Sequence, residues 1–328
     1  MMRIKMPSYQ EAFFQDPWEF ITGPNYPEVN RLFREDERFY VSINEKNEKL
    51  FVIQVPLIMT ADIPSALNSV DIEIIRFDDT KTRLLCTLTD ENLIDNFTLV
   101  IKDVAYRCAH YPDEIVISKA IKRLYDWTEL LKPSRKGIGK SKQMGLWGEM
   151  FVLHEYMSGV HPIKDAVNFW IGPDNKKQDF TLNHMALEVK TTMSGSAPAI
   201  KITSIEQLER ITDRLYLIHI FMNKGNEPDA LSLNDLYDQI IESINDDTET
   251  KTNFLFSVSK IYGKATDTER NEKFVFLNYN LYEVDENFPN ILGGDLPDAI
   301  RNIRYEINSS KISSLKLEKP IESVIENG

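Results

Sequence analysis

The sequence predicts a mixed α/β protein, α+β in arrangement. A β-rich N-terminal domain over residues 1–112 precedes an α/β domain over 113–328 that ends in a β extension. Three observations carry this. Val70-Asp71-Ile72-Glu73-Ile74 alternates apolar and polar residues, the period of a half-buried strand. From Asp113 the spacing becomes helical, with Ile117, Ile121, Leu124 and Leu131 in one stripe beside Ala120 and Trp127. Beyond residue 180, strand-like and helix-like stretches interleave.

In chain order, Pro17, Pro24 and Pro27 break up the first residues, and a short helix is expected over Pro27–Glu37. Arg38–Asn44 and Lys49–Val55 form a hairpin around Glu45–Glu48. Val70–Arg76 and Thr82–Thr89 flank a turn at Phe77–Thr80, and Phe97–Val104 is read as a further strand. A helix is expected over Met144–Tyr156, with Leu146, Met150, Leu153 and Met157 as its apolar stripe. Later strands are expected at Ile200–Thr203, Leu215–Phe221, Phe254–Ser259, Lys273–Leu277, Tyr279–Val284 and Arg304–Ile307. Helices are expected at Ile205–Arg210, Leu233–Ile244 and Pro297–Ile303, and the tail beyond Leu317 reads as loose.

The chain has 328 residues, 42% hydrophobic and 27% charged, which is ordinary for a globular protein. No apolar run approaches the roughly 20 residues of a membrane helix. The opening residues lack the apolar core of a secretory signal. Two cysteines, Cys86 and Cys108, suit a reducing compartment, and neither has the neighbours of a zinc site. The expected location is therefore cytoplasmic. A net charge of −13 argues against gripping long duplex DNA with the whole surface.

Chemistry concentrates in Gln178–Lys190. If Asn183-His184 is a two-residue turn, Leu182 pairs with Met185 and Asp179 stands opposite Glu188. Phe180, Leu182, Met185, Leu187 and Val189 then share the apolar face. Cross-strand partners lie roughly 4.5–5.5 Å apart, and like charges there repel. Lys190 follows on the face of Glu188. Two carboxylates and a lysine so placed suit a hard divalent cation, because Mg²⁺ takes one or two protein carboxylates. Glu149 falls inside the apolar stripe of its helix, where a carboxylate needs a cation or hydrogen-bond donors.

The largest reversal of charge lies over Ile117–Gln143. Lys119, Lys122, Arg123, Lys132, Arg135, Lys136, Lys140 and Lys142 oppose only Asp126 and Glu129, a net of +6. This stretch is either a solvated helix and linker or a phosphate-facing strip. Gly139-Lys140-Ser141 is not a nucleotide loop, since Ser134 stands where the other glycine is required. Lys176 and Lys177 arrive just before Asp179. His184 reads as a turn residue and His219 as a satisfied strand residue.

Gly145-Leu146-Trp147-Gly148-Glu149, Trp170-Ile171-Gly172-Pro173, Gln178-Asp179-Phe180, Glu188-Val189-Lys190-Thr191-Thr192 and Ser204-Ile205-Glu206-Gln207-Leu208 follow in an order that resembles the PD-(D/E)XK phosphodiesterase superfamily. In particular it resembles a bacterial PD-(D/E)XK family found beside DNA-modification and ATPase genes in defence clusters. The resemblance runs from about Phe97 to Ile307, with Gln178 where the superfamily favours proline. It implies a restriction-endonuclease-like core, a central mixed sheet flanked by helices. It further implies that Asp179, Glu188 and the Val189 carbonyl hold Mg²⁺ or Mn²⁺. Glu149 would shape the site or bind a second ion, and Lys190 would orient the attacking water and stabilise charge on the phosphate. Lys140, Lys142, Lys176, Lys177, Ser204 and Gln207 are the expected nucleic-acid contacts, with a helix-cap role as the alternative for Ser204.

The expected function is metal-dependent hydrolysis of DNA, as the cleaving component of a restriction-like defence system. The acidic charge points to a partner, an ATPase or DNA-modification protein, that supplies recognition or translocation. Double-strand cutting would need two sites, hence a homodimer. The alternatives are an inactive scaffold or recognition subunit of the same fold, an RNA-directed nuclease, and a structural protein on which Asp, Glu and Lys are surface decoration.

Overall fold

A computed structural model of the chain describes residues 6–8, 11–12, 15–57, 67–127, 131, 137–171, 178–196, 199–245, 247–297 and 299–328. It divides into two units, Met1–Arg135 and Lys136–Gly328. Among the described residues no helix is long and apolar enough to cross a membrane.

Among the described residues the first unit holds five strands: β1 (Asn30–Arg31), β2 (Phe39–Ile43), β3 (Lys49–Pro56), β4 (Val70–Arg76) and β5 (Lys81–Leu88). All pair antiparallel in the order β1-β2-β3-β5-β4. Two expectations fail here. Residues 27–37 form no helix, and Asn30 and Arg31 instead pair with Val41 and Tyr40. Phe97–Val104 is not a strand but the middle of α1 (Ile94–Cys108), which buries Phe97, Val100, Ile101, Val104, Ala105 and Cys108 as one stripe. A second helix, α2 (Asp113–Asp126), packs on α1. Asp103, buried in α1, accepts from Arg123 Nε at 2.6 Å and Trp127 Nε1 at 2.7 Å, tying the two helices. The helix beginning at Asp113 therefore belongs with the first unit, and the division falls after 135 rather than after 112.

The second unit opens with α3 (Lys140–Phe151), which runs into a π-helical turn at Val152–Met157, and then α4 (Ile163–Phe169). The strands β6 (Phe180–Thr181), β7 (Met185–Met193), β8 (Ala199–Ile202) and β9 (Arg214–Lys224) follow. A 3₁₀ turn at Ile205–Leu208 stands where a helix was expected. Next come α5 (Leu233–Ile244), α6 (Thr248–Tyr262), α7 (Asp267–Asn271), β10 (Phe274–Glu283), β11 (Tyr305–Asn308) and α8 (Ile321–Ile325). Phe254–Ser259 is helical within α6, because Phe254, Leu255, Val258 and Ile261 are buried at helical spacing. No helix forms among the described residues of 297–303. The tail is not loose: α8 buries Ile321, Val324 and Ile325.

The central sheet has the order β10-β9-β7-β6. β7 and β9 are parallel and the other pairs antiparallel, which makes it the expected mixed sheet. On one face α3 packs against β7, and Phe151 stacks on Phe276 at 5.0 Å. On the other, Ile200 and Ile202 of β8 and Ile307 of β11 cover Ala186, Leu215, Leu217 and Tyr282. β7 is thus buried in its first half on both faces, as a central strand should be.

Candidate active site

The hairpin has the register expected from its parity. Phe180 pairs with Leu187 and Thr181 with Ala186, and the Leu182 N–H donates to the Met185 carbonyl at 2.8 Å across the Asn183-His184 turn. The same count sets Asp179 opposite Glu188. The ladder is irregular at that point. The Asp179 N–H donates to the Leu187 carbonyl at 3.0 Å, and Asp179 Oδ2 accepts the Val189 N–H at 2.7 Å. One oxygen of Asp179 is fixed to the backbone of the strand it faces.

Glu188 is 0% exposed. Its Oε1 takes the Lys190 ammonium, while its Oε2 is buried with no hydrogen-bond partner. A buried carboxylate oxygen left alone is costly and calls for a cation or donor. Lys190 is 16% exposed through its side chain.

Glu149 reaches this pair through close packing. A Cβ on Gly148 would lie 2.4 Å from Thr191 Cγ2 and 3.4 Å from Val189 Cγ1, so the glycine lets α3 approach β7. The next residue, Glu149, is buried, and its Oε2 accepts from Trp170 Nε1 at 2.9 Å. Trp170 bridges to Phe180, and the Ile171 N–H donates to the Asp179 carbonyl at 2.9 Å. Helix carboxylate and strand carboxylate are thus joined through one short segment.

The electrostatics follow from three buried carboxylates around one ammonium. Burial and the Asp179 charge push Glu149 well above the ordinary carboxylate range, against the Trp170 hydrogen bond. Burial raises Asp179 to about 6, opposed by Lys190 and the Val189 N–H. Burial and Asp179 raise Glu188 to about 8, with Lys190 opposing. For Lys190, burial disfavours the charge, but Glu188 and Asp179 outweigh it and its pKa is raised.

Fully ionised, the cluster carries three negative charges against one positive, a deficit a divalent cation would fill. Among the described residues no three His, Cys, Asp or Glu side chains form a ready metal cage. Mg²⁺ takes one or two protein carboxylates, and Glu188 Oε2 is a buried carboxylate oxygen without a hydrogen-bond partner, the chemistry of a donor to such an ion.

The other expected contacts are dispersed. Lys140 pairs with Glu272, and its Nζ lies 4.2 Å from the Phe274 ring centroid. Lys142 is exposed in the first turn of α3. Lys176 and Lys177 lie outside the described residues. Ser204 does not cap the turn that follows; its hydroxyl bonds the Glu206 carboxylate. Gln207 Oε1 accepts from the Thr203 N–H at 3.0 Å. His184 is an exposed turn residue with Nδ1 3.3 Å from Asp213.

The Gly139 loop does hold an anion, though an internal one. Gly137 and Gly139 have φ of 67° and 78°. The Ile138 and Gly139 N–H groups donate to Glu269 at 3.0 and 2.8 Å.

Three residues the sequence reading left outside the site belong near it. Trp170 holds Glu149. Gln178 is buried, and its Nε2 donates to the carbonyls of Glu206 at 2.9 Å and Glu209 at 2.7 Å, fastening the Asp179 strand to the next turn. His219, beside Lys190 in register, is not fully satisfied: Nε2 meets Thr192 Oγ1 at 2.8 Å, but Nδ1 is buried without a partner. A tryptophan or glutamine flanking the motif was the available signal for the first two; for His219 there was none.

Neither the curated proteins nor the solved structures yield a match to this chain. A family match, however, spans residues 14–310, nearly the whole chain. It includes Glu149, Asp179, Glu188 and Lys190. The chain belongs to the family described as "Putative PD-(D/E)XK family member, (DUF4420)".

Proposed function

We propose that the protein is a metal-dependent nuclease that hydrolyses DNA phosphodiester bonds, the cleaving component of a restriction-like defence system. The observation that carries this is the buried, unpartnered Glu188 Oε2 in a cluster of three carboxylates and one lysine. Glu188, the free oxygen of Asp179 and the Val189 carbonyl would hold Mg²⁺ or Mn²⁺. When bound, the ion would polarise a phosphoryl oxygen and lower the pKa of a bound water. Lys190 donates toward the scissile phosphate and stabilises the charge that develops there. Glu149, held by Trp170, shapes the wall of the site beside Asp179 or binds a second ion.

The net charge of −13 supports a second protein, an ATPase or DNA-modification enzyme, that brings DNA to the site. Cutting both strands would take two copies of the chain.

The test incubates the purified chain with Mg²⁺ or Mn²⁺ and with duplex DNA, single-stranded DNA and structured RNA. Cleavage of DNA that disappears in Lys190→Ala supports the reading. Preferential RNA cleavage transfers the chemistry to RNA. No cleavage, together with no calorimetric Mn²⁺ binding, leaves an inactive scaffold of the same fold.

A further inference from the structure

β10 contains a bulge. Phe276 pairs with Met222 and Asn278 with Phe221, so Leu277 is the extra residue, and it is 41% exposed. Strand side chains alternate between faces, so one inserted residue exchanges the faces of all that follow. Before the bulge, Phe276 lies on the helix face against Phe151. After it, Asn278 and Asn280 stand opposite Phe221 and His219. Those two residues are in register with Thr192 and Lys190. Two rows therefore cross the sheet on the Glu188 face: Lys190–His219–Asn280 and Thr192–Phe221–Asn278.

These rows differ from their neighbours. Toward the start of β7 the same face is apolar and covered by β8 and β11. Beyond Glu188 that apolar cluster stops: Asn278 is exposed, and Lys190, Thr192, Phe221 and Asn280 are half-buried. His219 lies between, its ring 4.4 Å from that of Phe221 and inclined at 50°. Burial lowers its pKa to about 4, so the imidazole is neutral, and its Nδ1 lacks a partner. Apart from Lys190 at one end, the strip is uncharged. Amide donors and acceptors beside ring faces suit the edge and plane of a base rather than a phosphate. Two strand spacings, about 10 Å, separate Lys190 from β10.

We propose that this strip is a base subsite, which receives an unstacked nucleobase of the strand whose phosphate meets Lys190. Phe221 is the stacking surface, and the Asn278 and Asn280 amides meet the base edge. The subsite rests on the nuclease reading, because the phosphate at Lys190 is what brings a nucleotide here.

The test uses the full chain in buffer containing EDTA, where no metal-dependent cleavage runs. Single-stranded oligodeoxynucleotides carry one abasic site, stepped along the sequence, and anisotropy gives each Kd. One abasic position should weaken binding about tenfold relative to the others. Asn278→Ala, on an exposed edge, and Phe221→Leu should each shrink that penalty to less than about twofold, with melting temperatures reporting that both variants fold. Equal affinity at every abasic position overturns the subsite and leaves the nuclease reading standing; so does a penalty that both variants retain. No binding of any oligonucleotide also overturns the subsite, and the separate Mg²⁺ cleavage assay decides whether the nuclease reading falls with it.

Discussion

Gly148 of α3 lies against Thr191 of β7: a Cβ on the glycine would lie 2.4 Å from Thr191 Cγ2. The short, branched threonine cannot swing away. Gly148→Ala should therefore destabilise the protein by about 1–3 kcal/mol, the usual cost of overpacking. It should also displace Glu149 and weaken Mn²⁺ binding. Adding Thr191→Ser removes the clashing methyl and should restore most of the melting temperature. A Gly148→Ala protein as stable as wild type would mean that α3 does not pack this closely.

The carboxylates give the metal-free protein a defined pH dependence. Asp179 and Glu188 are raised to about 6 and about 8 from ordinary values of 3.8 and 4.5. Between those limits the folded chain holds more protons than the unfolded one, so stability falls as pH rises. Glu272 acts oppositely but lower. Its burial is outweighed by Lys140, Lys224 and Gln143, which hold it at about 2, so its contribution is lost only below about pH 4.5. His219, lowered by burial from 6.5 to about 4, opposes the carboxylates below about pH 6.5. In EDTA the melting temperature should therefore fall from pH 6.5 to pH 8, and Glu188→Gln should flatten the fall. Added Mn²⁺ should raise the melting temperature more at pH 8 than at pH 6. A wild-type curve that is flat or rising above pH 6.5 in EDTA contradicts this account.

The hairpin was legible because parity and a two-residue turn fix its register from local sequence alone. Asp179 opposite Glu188 needed no tertiary information. Phe97–Val104 and Phe254–Ser259 were misread for a common reason. Each six- to eight-residue window is rich in aromatic and β-branched residues, whereas the helical stripe shows only over the longer spans Phe97–Cys108 and Phe254–Ile261. Glu149 was suspected from its place in an apolar stripe. Its donor was not, because Trp170 is 21 residues away and meets it only through packing. The Leu277 bulge was hidden in two expected strands that are one, and no residue there signals a change of face.

Trp170→Phe tests that hidden link. The indole N–H favours the ionised form of Glu149, and phenylalanine fills the space without a donor. The pKa of Glu149 should rise further, and the buried carboxylate should lose about 1–3 kcal/mol of compensation when charged. Mn²⁺ binding by calorimetry should weaken more at pH 7 than at pH 9, because higher pH favours the ionised carboxylate. A loss that is equal at both pH values would assign Trp170 to packing alone.

Glu269 closes the loop before α3 with its own carboxylate, accepting from Ile138, Gly139 and Thr266 N–H groups. Burial raises its pKa, but the Thr266, Gly139 and Ile138 donors outweigh that and hold it below the ordinary range. Glu269→Ala leaves those N–H groups to water and frees Gly137 and Gly139 to move. The start of α3 should fray, while the Asp179–Glu188 hairpin stays in place. Hydrogen exchange should accelerate over 138–145 and remain slow over 185–190. The drop in melting temperature should shrink as the pH falls below about 4.5, because wild-type Glu269 then begins to lose its charge too. If exchange rises equally in both segments, α3 and β7 unfold as one unit and the loop is no independent latch.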